Sequence, residues 1–157
     1  MERLEILAGQ ALAARKLTLA VAESCTGGLI MHRLTNIPGS SAYLMGGFVV
    51  YSYASKVQFV GVNQATLEQH GAVSEPIAHE MATGVRAAFS TDYGLSVTGI
   101  AGPGGGLPDK PVGLTYIGVA GPGGVTVIRR VWQADREGNK AHSAEAALAL
   151  LLDTVNG

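Results

Sequence analysis

The sequence predicts one α/β domain, with a mixed central sheet and helices packed on its faces. Segments whose apolar residues recur at helical spacing alternate with short apolar runs that are typical of buried strands. The last two strands are separated by a Gly/Pro turn, which indicates an antiparallel hairpin. The chain of 157 residues contains no linker, repeat or charge run, so we expect a single domain over 1–157.

The first half of the chain alternates helix and strand. Apolar residues at helical spacing predict the helices, and a run rich in Leu and Val predicts the first strand. In order, the predicted segments are a helix at 2–15, a strand at 16–22, a turn at 23–28, the start of a helix at 28–34, a loop at 36–41, a strand at 46–52 and short helices at 53–60 and 63–70.

The second half contains a longer helix, a Gly/Pro loop and the hairpin. Ser74 is placed to cap the helix, and Pro76 fits its first turn. The predicted segments are this helix after Ser74, a strand at 93–99, a loop at 100–111, strands at 112–120 and 124–132, and a helix at 136–155. Ligands of such sheets bind at the C-terminal ends of strands. Because the turn at 23–28, Tyr51 and the segment 98–106 all follow strands, we expect one site there.

Composition excludes several classes of partner. The net charge is −1 and no basic cluster occurs, so nothing predicts binding to nucleic acid. No run of about 18 apolar residues occurs, so no membrane span is predicted. The single cysteine, Cys25, excludes an intrachain disulfide, and with no signal peptide we expect a cytoplasmic protein. The Ala/Leu face of the last helix and the hairpin edge predict a homo-oligomer.

Ser24 is the first candidate for chemistry, because it lies where a strand breaks into a turn before two glycines. A hydroxyl in that position is exposed, and the amides that follow it can stabilise an oxyanion. The residues that supply these amides are Cys25, Thr26, Gly27 and Gly28. The alternative is that Ser24 or Thr26 only caps the next helix, since Ser and Thr are preferred there.

A serine nucleophile needs a base, which is most often histidine. None of the four histidines is predicted at the C-terminal end of a strand, so a Ser-His-Asp triad is not supported. Lys56 follows the strand that ends near Tyr51, and burial among its apolar neighbours would lower its pKa. Lys56 is therefore the candidate base, and Tyr51 is a candidate for positioning a proton. The alternatives are a solvated surface lysine and a tyrosine that only packs.

Three further features are candidates for the site. Cys25 is an alternative nucleophile without an obvious histidine partner, and buried filler is its common role. Glu23 either supplies a carboxylate to the site or orients the turn. The glycines of 98–106 can bring amides against a phosphate, but they match no known dinucleotide or P-loop motif, and a flexible connection is the alternative. No Cys/His cluster predicts a metal site.

A set of short motifs follows in order along the chain. These are AESCTGG at 22–28, PGSS at 38–41, GG at 46–47, Tyr51 with Lys56, GAVSE at 71–75, TGIAGP at 98–103 and KPVG at 110–113. Together they resemble the C-terminal domain of the CinA (competence/damage-inducible) proteins, a family that includes the nicotinamide-nucleotide amidohydrolases (PncC). Each motif is moderately specific, whereas the ordered set is highly specific and covers essentially the whole chain.

The resemblance implies an amidohydrolase of pyridine-nucleotide salvage, which converts nicotinamide mononucleotide (NMN) to nicotinate mononucleotide and ammonia. It implies a serine/lysine mechanism without metal or cofactor, in which Ser24 is the nucleophile, Lys56 the base and Tyr51 an auxiliary residue. The residues expected to contact the nucleotide are Glu23, Ser41, Thr98, Gly99, Gly102 and Arg136.

One motif departs from the family pattern. The family's Tyr-Ser-Asn-Glu-x-Lys is Tyr51-Ser-Tyr-Ala-Ser-Lys56 here, so Ala54 replaces an acidic residue. This loss favours an alternative function, a non-catalytic module that binds a phosphorylated small molecule or a partner protein. The molybdopterin-binding-like domain of full-length members does not occur in the sequence, which predicts a stand-alone version.

Overall fold

The chain forms five strands and six α-helices in this computed structural model, which describes residues 2–157. In chain order they are α1 (Leu4–Ala14), β1 (Leu19–Glu23), α2 (Leu29–Thr35), β2 (Leu44–Val49), α3 (Tyr53–Val60), α4 (Gln64–His70), α5 (Glu75–Phe89), β3 (Tyr93–Gly99), β4 (Leu114–Gly121), β5 (Gly124–Val131) and α6 (Arg136–Asn156), with a 3₁₀ turn at Ser40–Ala42. The predicted α/β class is confirmed.

The sheet is mixed, with strand order β2-β1-β3-β4-β5. The central strand pair β1 and β3 is parallel, and β2 runs parallel to β1 at one edge. Strands β4 and β5 form the predicted antiparallel hairpin on the other side of β3. The C-terminal ends of β1, β2 and β3 therefore lie side by side at one end of the sheet, its C-terminal end.

The helices cover both faces of the sheet. Helices α1, α2 and α6 pack on the face that carries Leu19 and Val21, whereas α3, α4 and α5 pack on the face that carries Ala20 and Ala22. This alternation follows from the period of two in a strand. Helix α5 lies very close to the sheet, because a Cβ at Gly94 would come within 2.2 Å of the Ala82 carbonyl oxygen.

Two local expectations were wrong. Strand β2 ends at Val49, not at Ser52, because Ser52 is the N-cap of α3 instead. The Ser52 hydroxyl accepts from the Ser55 amide and the Ser55 hydroxyl accepts from the Ser52 amide, which is a reciprocal capping box. Ser74 stands at the start of α5, but its hydroxyl donates to the Gly71 carbonyl and does not cap the helix. In the part of the chain that the structure describes, no helix is both long and apolar enough to cross a membrane.

Candidate active site

A small pocket of about 160 Å³ lies at the C-terminal end of the sheet, where β1, β2 and β3 end. Its lining residues are Ser24, Cys25, Tyr51, Lys56, Ala72, Val73, Thr98, Gly99, Ala101 and Arg136. Four larger depressions of about 370 to 590 Å³ also occur, and one of them, of about 460 Å³, adjoins the small pocket and shares Ala101 and Arg136 with it. Within residues 2–157, no hydrogen bond joins a hydroxyl to a basic side chain in any of the four. The small pocket is therefore the candidate site.

Ser24 and Lys56 meet inside this pocket. The Nζ of Lys56 lies 3.1 Å from the Ser24 Oγ and donates to the Val50 carbonyl at 2.7 Å. The bond to Val50 uses one N–H of the amine and fixes its direction. If the amine is neutral, its lone pair can then take the hydroxyl proton of Ser24. This is the geometry of a nucleophile with its general base.

Lys56 is almost completely buried, with 1% of its surface exposed, so it is not the solvated surface lysine that composition alone allowed. Among residues 2–157 no carboxylate lies within ion-pair distance of its Nζ. Burial disfavours the charged form of an amine and here lowers the pKa of Lys56 to about 8. At neutral to mildly basic pH, a useful fraction of Lys56 is therefore in the unprotonated form that a base requires.

Glu23 organises the turn that presents Ser24. It is fully buried, and its carboxylate accepts hydrogen bonds from the Thr26 hydroxyl and from the amides of Gly28, Ile30 and Met31, at 2.7 to 3.1 Å. These bonds occupy both carboxylate oxygens, and Glu23 does not line the pocket. Of its two predicted roles, the structure places it in that of orienting the turn.

The turn divides the four predicted oxyanion residues into two pairs. The Gly27 amide donates to the Ser24 carbonyl and the Gly28 amide donates to Glu23. The amides of Cys25 and Thr26, by contrast, donate to no acceptor within residues 2–157. Cys25 and Thr26 are therefore the residues whose amides can receive a developing oxyanion next to Ser24. Gly28, not Ser24 or Thr26, occupies the N-cap position of α2.

Cys25 is poorly suited to be the nucleophile. Its thiol is buried, and burial raises the pKa of Cys25 to about 12, so the reactive thiolate is strongly disfavoured. The Sγ lies 3.1 Å from the position that a Cβ on Gly99 would occupy. Gly99 thus gives the Cys25 side chain room to pack under the end of β3.

Arg136 closes one side of the pocket from the start of α6. Its guanidinium donates to the Tyr51 hydroxyl at 3.0 Å and to the Gly102 carbonyl at 2.7 Å. Tyr51 is 63% exposed and lies at the mouth of the pocket rather than against the Lys56 amine. On the inner wall, the Thr98 hydroxyl donates to the Ala72 carbonyl at 2.8 Å.

Of the predicted substrate-binding residues, Glu23, Ser41 and Gly102 do not line this pocket, and Ser41 lies far from it. It lies in the 3₁₀ turn before β2, whereas the pocket lies beyond the C-terminal end of that strand. A strand of six residues spans about 20 Å, so Ser41 lies at the opposite end of the strands from the pocket. None of the four histidines lines the pocket. Within residues 2–157, no group of three or more metal-type side chains occurs.

Sequence reasoning missed four residues around the pocket. Ala72 and Val73 line it from the segment before α5. Asn139 is buried and donates to the Ala101 carbonyl, and the Lys140 Nζ lies 3.6 Å from the position of a Cβ on Gly27. The spacing from Arg136 is the signal that identifies the last two, because residues three and four positions apart share one face of a helix.

Comparison with known proteins points to one family. The model of the CinA C-terminal domain matches residues 1–155. A CinA-like protein of Chlorobaculum tepidum is 52% identical over 143 residues, which cover 88% of this chain and 34% of that protein. The chain spans about a third of the length of the curated relatives that it matches.

Solved structures have the same fold over nearly their whole length. The competence/damage inducible protein CihA of Agrobacterium tumefaciens superposes with a TM-score of 0.91 at 36% identity, covering 100% of this chain and 98% of that one. A CinA-superfamily protein of Escherichia coli superposes with a TM-score of 0.91 at 33% identity, covering 96% and 90% of the two chains.

Proposed function

The chain belongs to the CinA C-terminal domain family, and from this membership and the pairing of Ser24 with Lys56 we propose that it is a cytoplasmic amidohydrolase that converts NMN to nicotinate mononucleotide and ammonia. The observation that carries the proposal is a buried lysine 3.1 Å from a serine hydroxyl. Within residues 2–157 this lysine has no carboxylate partner, and the two amides beside the hydroxyl have no acceptor. This activity would belong to pyridine-nucleotide salvage.

In the proposed mechanism, neutral Lys56 takes the hydroxyl proton as the Ser24 oxygen attacks the carboxamide carbon of NMN. The amides of Cys25 and Thr26 receive the oxyanion of the tetrahedral intermediate. The protonated Lys56 then gives its proton to the departing nitrogen, the C–N bond breaks, ammonia leaves and the acyl group remains on the Ser24 oxygen as an ester. A water molecule, deprotonated by Lys56, hydrolyses the ester and restores the Ser24 hydroxyl.

The size of the pocket suits the reacting end of such a substrate. Sites for whole ligands commonly measure roughly 300–1,000 Å³, whereas this pocket measures about 160 Å³. We therefore place only the carboxamide and part of its ring inside. The ribose and phosphate would lie across the mouth, where Tyr51 and Arg136 are.

An assay of ammonia release from NMN tests the proposal. The purified chain should release ammonia, and Ser24→Ala should reduce the rate by at least about 10³-fold, because no other group in the pocket replaces the nucleophile. Cys25→Ala is the matched control next to it and should retain activity within a few fold. Near-normal turnover by Ser24→Ala would contradict the mechanism, and loss of turnover only in Cys25→Ala would favour a cysteine amidase.

The alternative, a non-catalytic binding module, rests on the replacement of an acidic residue by Ala54. Ala54 is exposed on α3, whereas Lys56, two positions later, is buried. A carboxylate at position 54 would therefore lie in solvent rather than against the Lys56 amine. Binding of NMN in a calorimeter without any ammonia release would favour this alternative.

Self-association stays a prediction. Strand β2 forms one edge of the sheet and leaves Met45 and Val49 exposed. Sedimentation of the purified chain would determine its oligomeric state.

A further inference from the structure

Two consecutive carbonyls at the rim of the pocket are held by one helix. After β3 ends, the Ala101 carbonyl accepts from the Asn139 side-chain amide at 2.9 Å, and the Gly102 carbonyl accepts from the Arg136 guanidinium at 2.7 Å. Arg136 and Asn139 are three positions apart and share one face of α6. The beginning of α6 therefore sets the orientation of two peptide groups, the one between Ala101 and Gly102 and the one between Gly102 and Pro103.

The orientation of these carbonyls determines where the neighbouring amides point. In a trans peptide the N–H points opposite to the carbonyl before it. The Gly102 amide is therefore directed away from Asn139, and the Ala101 amide is directed away from Gly113, whose amide binds the Ile100 carbonyl. Neither amide donates to any acceptor within the described residues. Gly102 has φ +84°, and such a left-handed residue after another loop residue allows successive amides to converge on one anion.

Asn139 is built to hold one position. It is 2% exposed, its Oδ1 accepts from the Ala134 amide at 3.0 Å and its Nδ2 donates to Ala101. An amide N–H only donates and a carbonyl only accepts, so a flipped side chain would satisfy neither partner. No water or alternative acceptor is needed to fix the side chain.

We propose that Asn139 is a positioning residue for the anionic group of the substrate. By holding the Ala101 carbonyl, it turns the amide of Gly102 toward the phosphate of the nucleotide, beside the Arg136 guanidinium. The Ala101 amide is oriented separately, by the bond from the Gly113 amide to the Ile100 carbonyl. Asn139 itself does not contact the substrate. This inference rests on the proposed function, because it takes the phosphate to be that of NMN.

The test compares NMN with nicotinamide riboside, which has the same carboxamide but no phosphate. Asn139→Asp keeps an acceptor for the Ala134 amide and removes the donor to Ala101. We expect the KM for NMN to rise about 10-fold, as for the loss of one hydrogen bond to a charged group. The kcat and the pH midpoint should stay within about twofold, and the KM for nicotinamide riboside should not change. Asn156→Asp, the same change at the far end of α6, is the control and should alter nothing.

A purely structural role for Asn139 would shift both substrates equally or shift neither, and either result would overturn the proposal. Asn139→Ser, whose hydroxyl does not reach the Ala101 carbonyl, is the second variant if Asn139→Asp fails to fold, and it should give the same split. If the unaltered chain releases no ammonia from NMN, the proposed function fails. Calorimetry then decides the inference separately: Asn139→Asp must weaken the binding of NMN and leave that of nicotinamide riboside unchanged.

Discussion

Glu5 and Lys56 are both ionisable residues that the fold buries, but within residues 2–157 only Glu5 has a partner of opposite charge. Glu5 is 3% exposed and accepts from the Arg33 guanidinium at 2.6 Å, and Arg33 also binds Glu145 at 2.9 Å. These contacts join α1, α2 and α6. Lys56 is 1% exposed, yet among the described residues its Nζ hydrogen-bonds only to the Ser24 hydroxyl and the Val50 carbonyl.

Both pKa values are lowered, but the consequences for charge are opposite. A lowered pKa keeps a carboxyl group charged, whereas it favours the neutral form of an amine. Burial alone raises the pKa of Glu5, but the hydrogen bond and charge of Arg33 more than offset it, so the pKa is lowered and the carboxylate stays charged. Burial lowers the pKa of Lys56 without such an offset, so the amine can be neutral. A buried charge that is paired, like Glu5, or fully hydrogen-bonded to its turn, like Glu23, serves the fold. A buried amine that is neither, and that lies beside a hydroxyl, is the one we expect to serve chemistry.

The largest expected effect comes from Lys56→Met, which keeps all but the last atom of the side-chain length and removes the base. Ammonia release from NMN should fall by at least about 10³-fold. The free energy of unfolding at pH 7 should stay unchanged or rise, because the lowered pKa means that charged Lys56 destabilises the folded state by roughly 3 kcal/mol at that pH. Urea unfolding measures this. A large loss of stability together with activity would show that Lys56 is structural.

The pH profile gives the next effect. Protonated Lys56 is inactive as a base, so kcat/KM should fall about tenfold per pH unit below a midpoint near the pKa of about 8 and level off above it. The stability contribution has a different window: it is least favourable below pH 8 and improves as the pH rises from about 8 toward the ordinary lysine value of 10.5. A profile that is flat between pH 6 and 9 would exclude Lys56 as the base.

Glu5→Gln should produce the reverse of the Lys56 result. The free energy of unfolding should decrease by about 2 kcal/mol, less than for a completely orphaned buried pair, because Arg33 keeps Glu145. The kcat for NMN should stay within about twofold, since Glu5 does not line the pocket. Urea unfolding and the ammonia assay check this. A drop in kcat with unchanged stability would contradict the view that Glu5 stabilises the fold and takes no part in the reaction.

The smallest effect is expected from Ala54→Glu, which restores the acidic residue of the family pattern. Position 54 is exposed on α3, so the new carboxylate would be screened by solvent. The midpoint of the pH profile should move by less than about 0.3 units, and kcat should stay within about twofold. A clear upward shift of the midpoint would show that position 54 acts on Lys56 after all.

The contrast also shows how much of the site could be read from sequence. Ser24 and its turn were predictable, because a strand, two glycines and a helix follow one another locally. Lys56 was predictable as a candidate but its burial was not, since that depends on how α3 packs against the sheet. The bond from Asn139 to Ala101 joins residues 38 positions apart, and only the docking of α6 reveals it. Ser41 was predicted to lie in the site, and the structure places it elsewhere. Its motif is only about ten residues before Tyr51 in sequence, but β2 runs between the two and separates them by its full length.

The four hydrogen bonds that Glu23 accepts have a consequence for how a substrate would bind. They order the turn and the first residues of α2 when the chain folds, before any ligand arrives. The conformational entropy of the turn is thus lost during folding, so it does not weaken the affinity for a substrate. In the proposed reaction, the amides of Cys25 and Thr26 would already be aligned when the carboxamide binds, and only the water on them would have to be displaced.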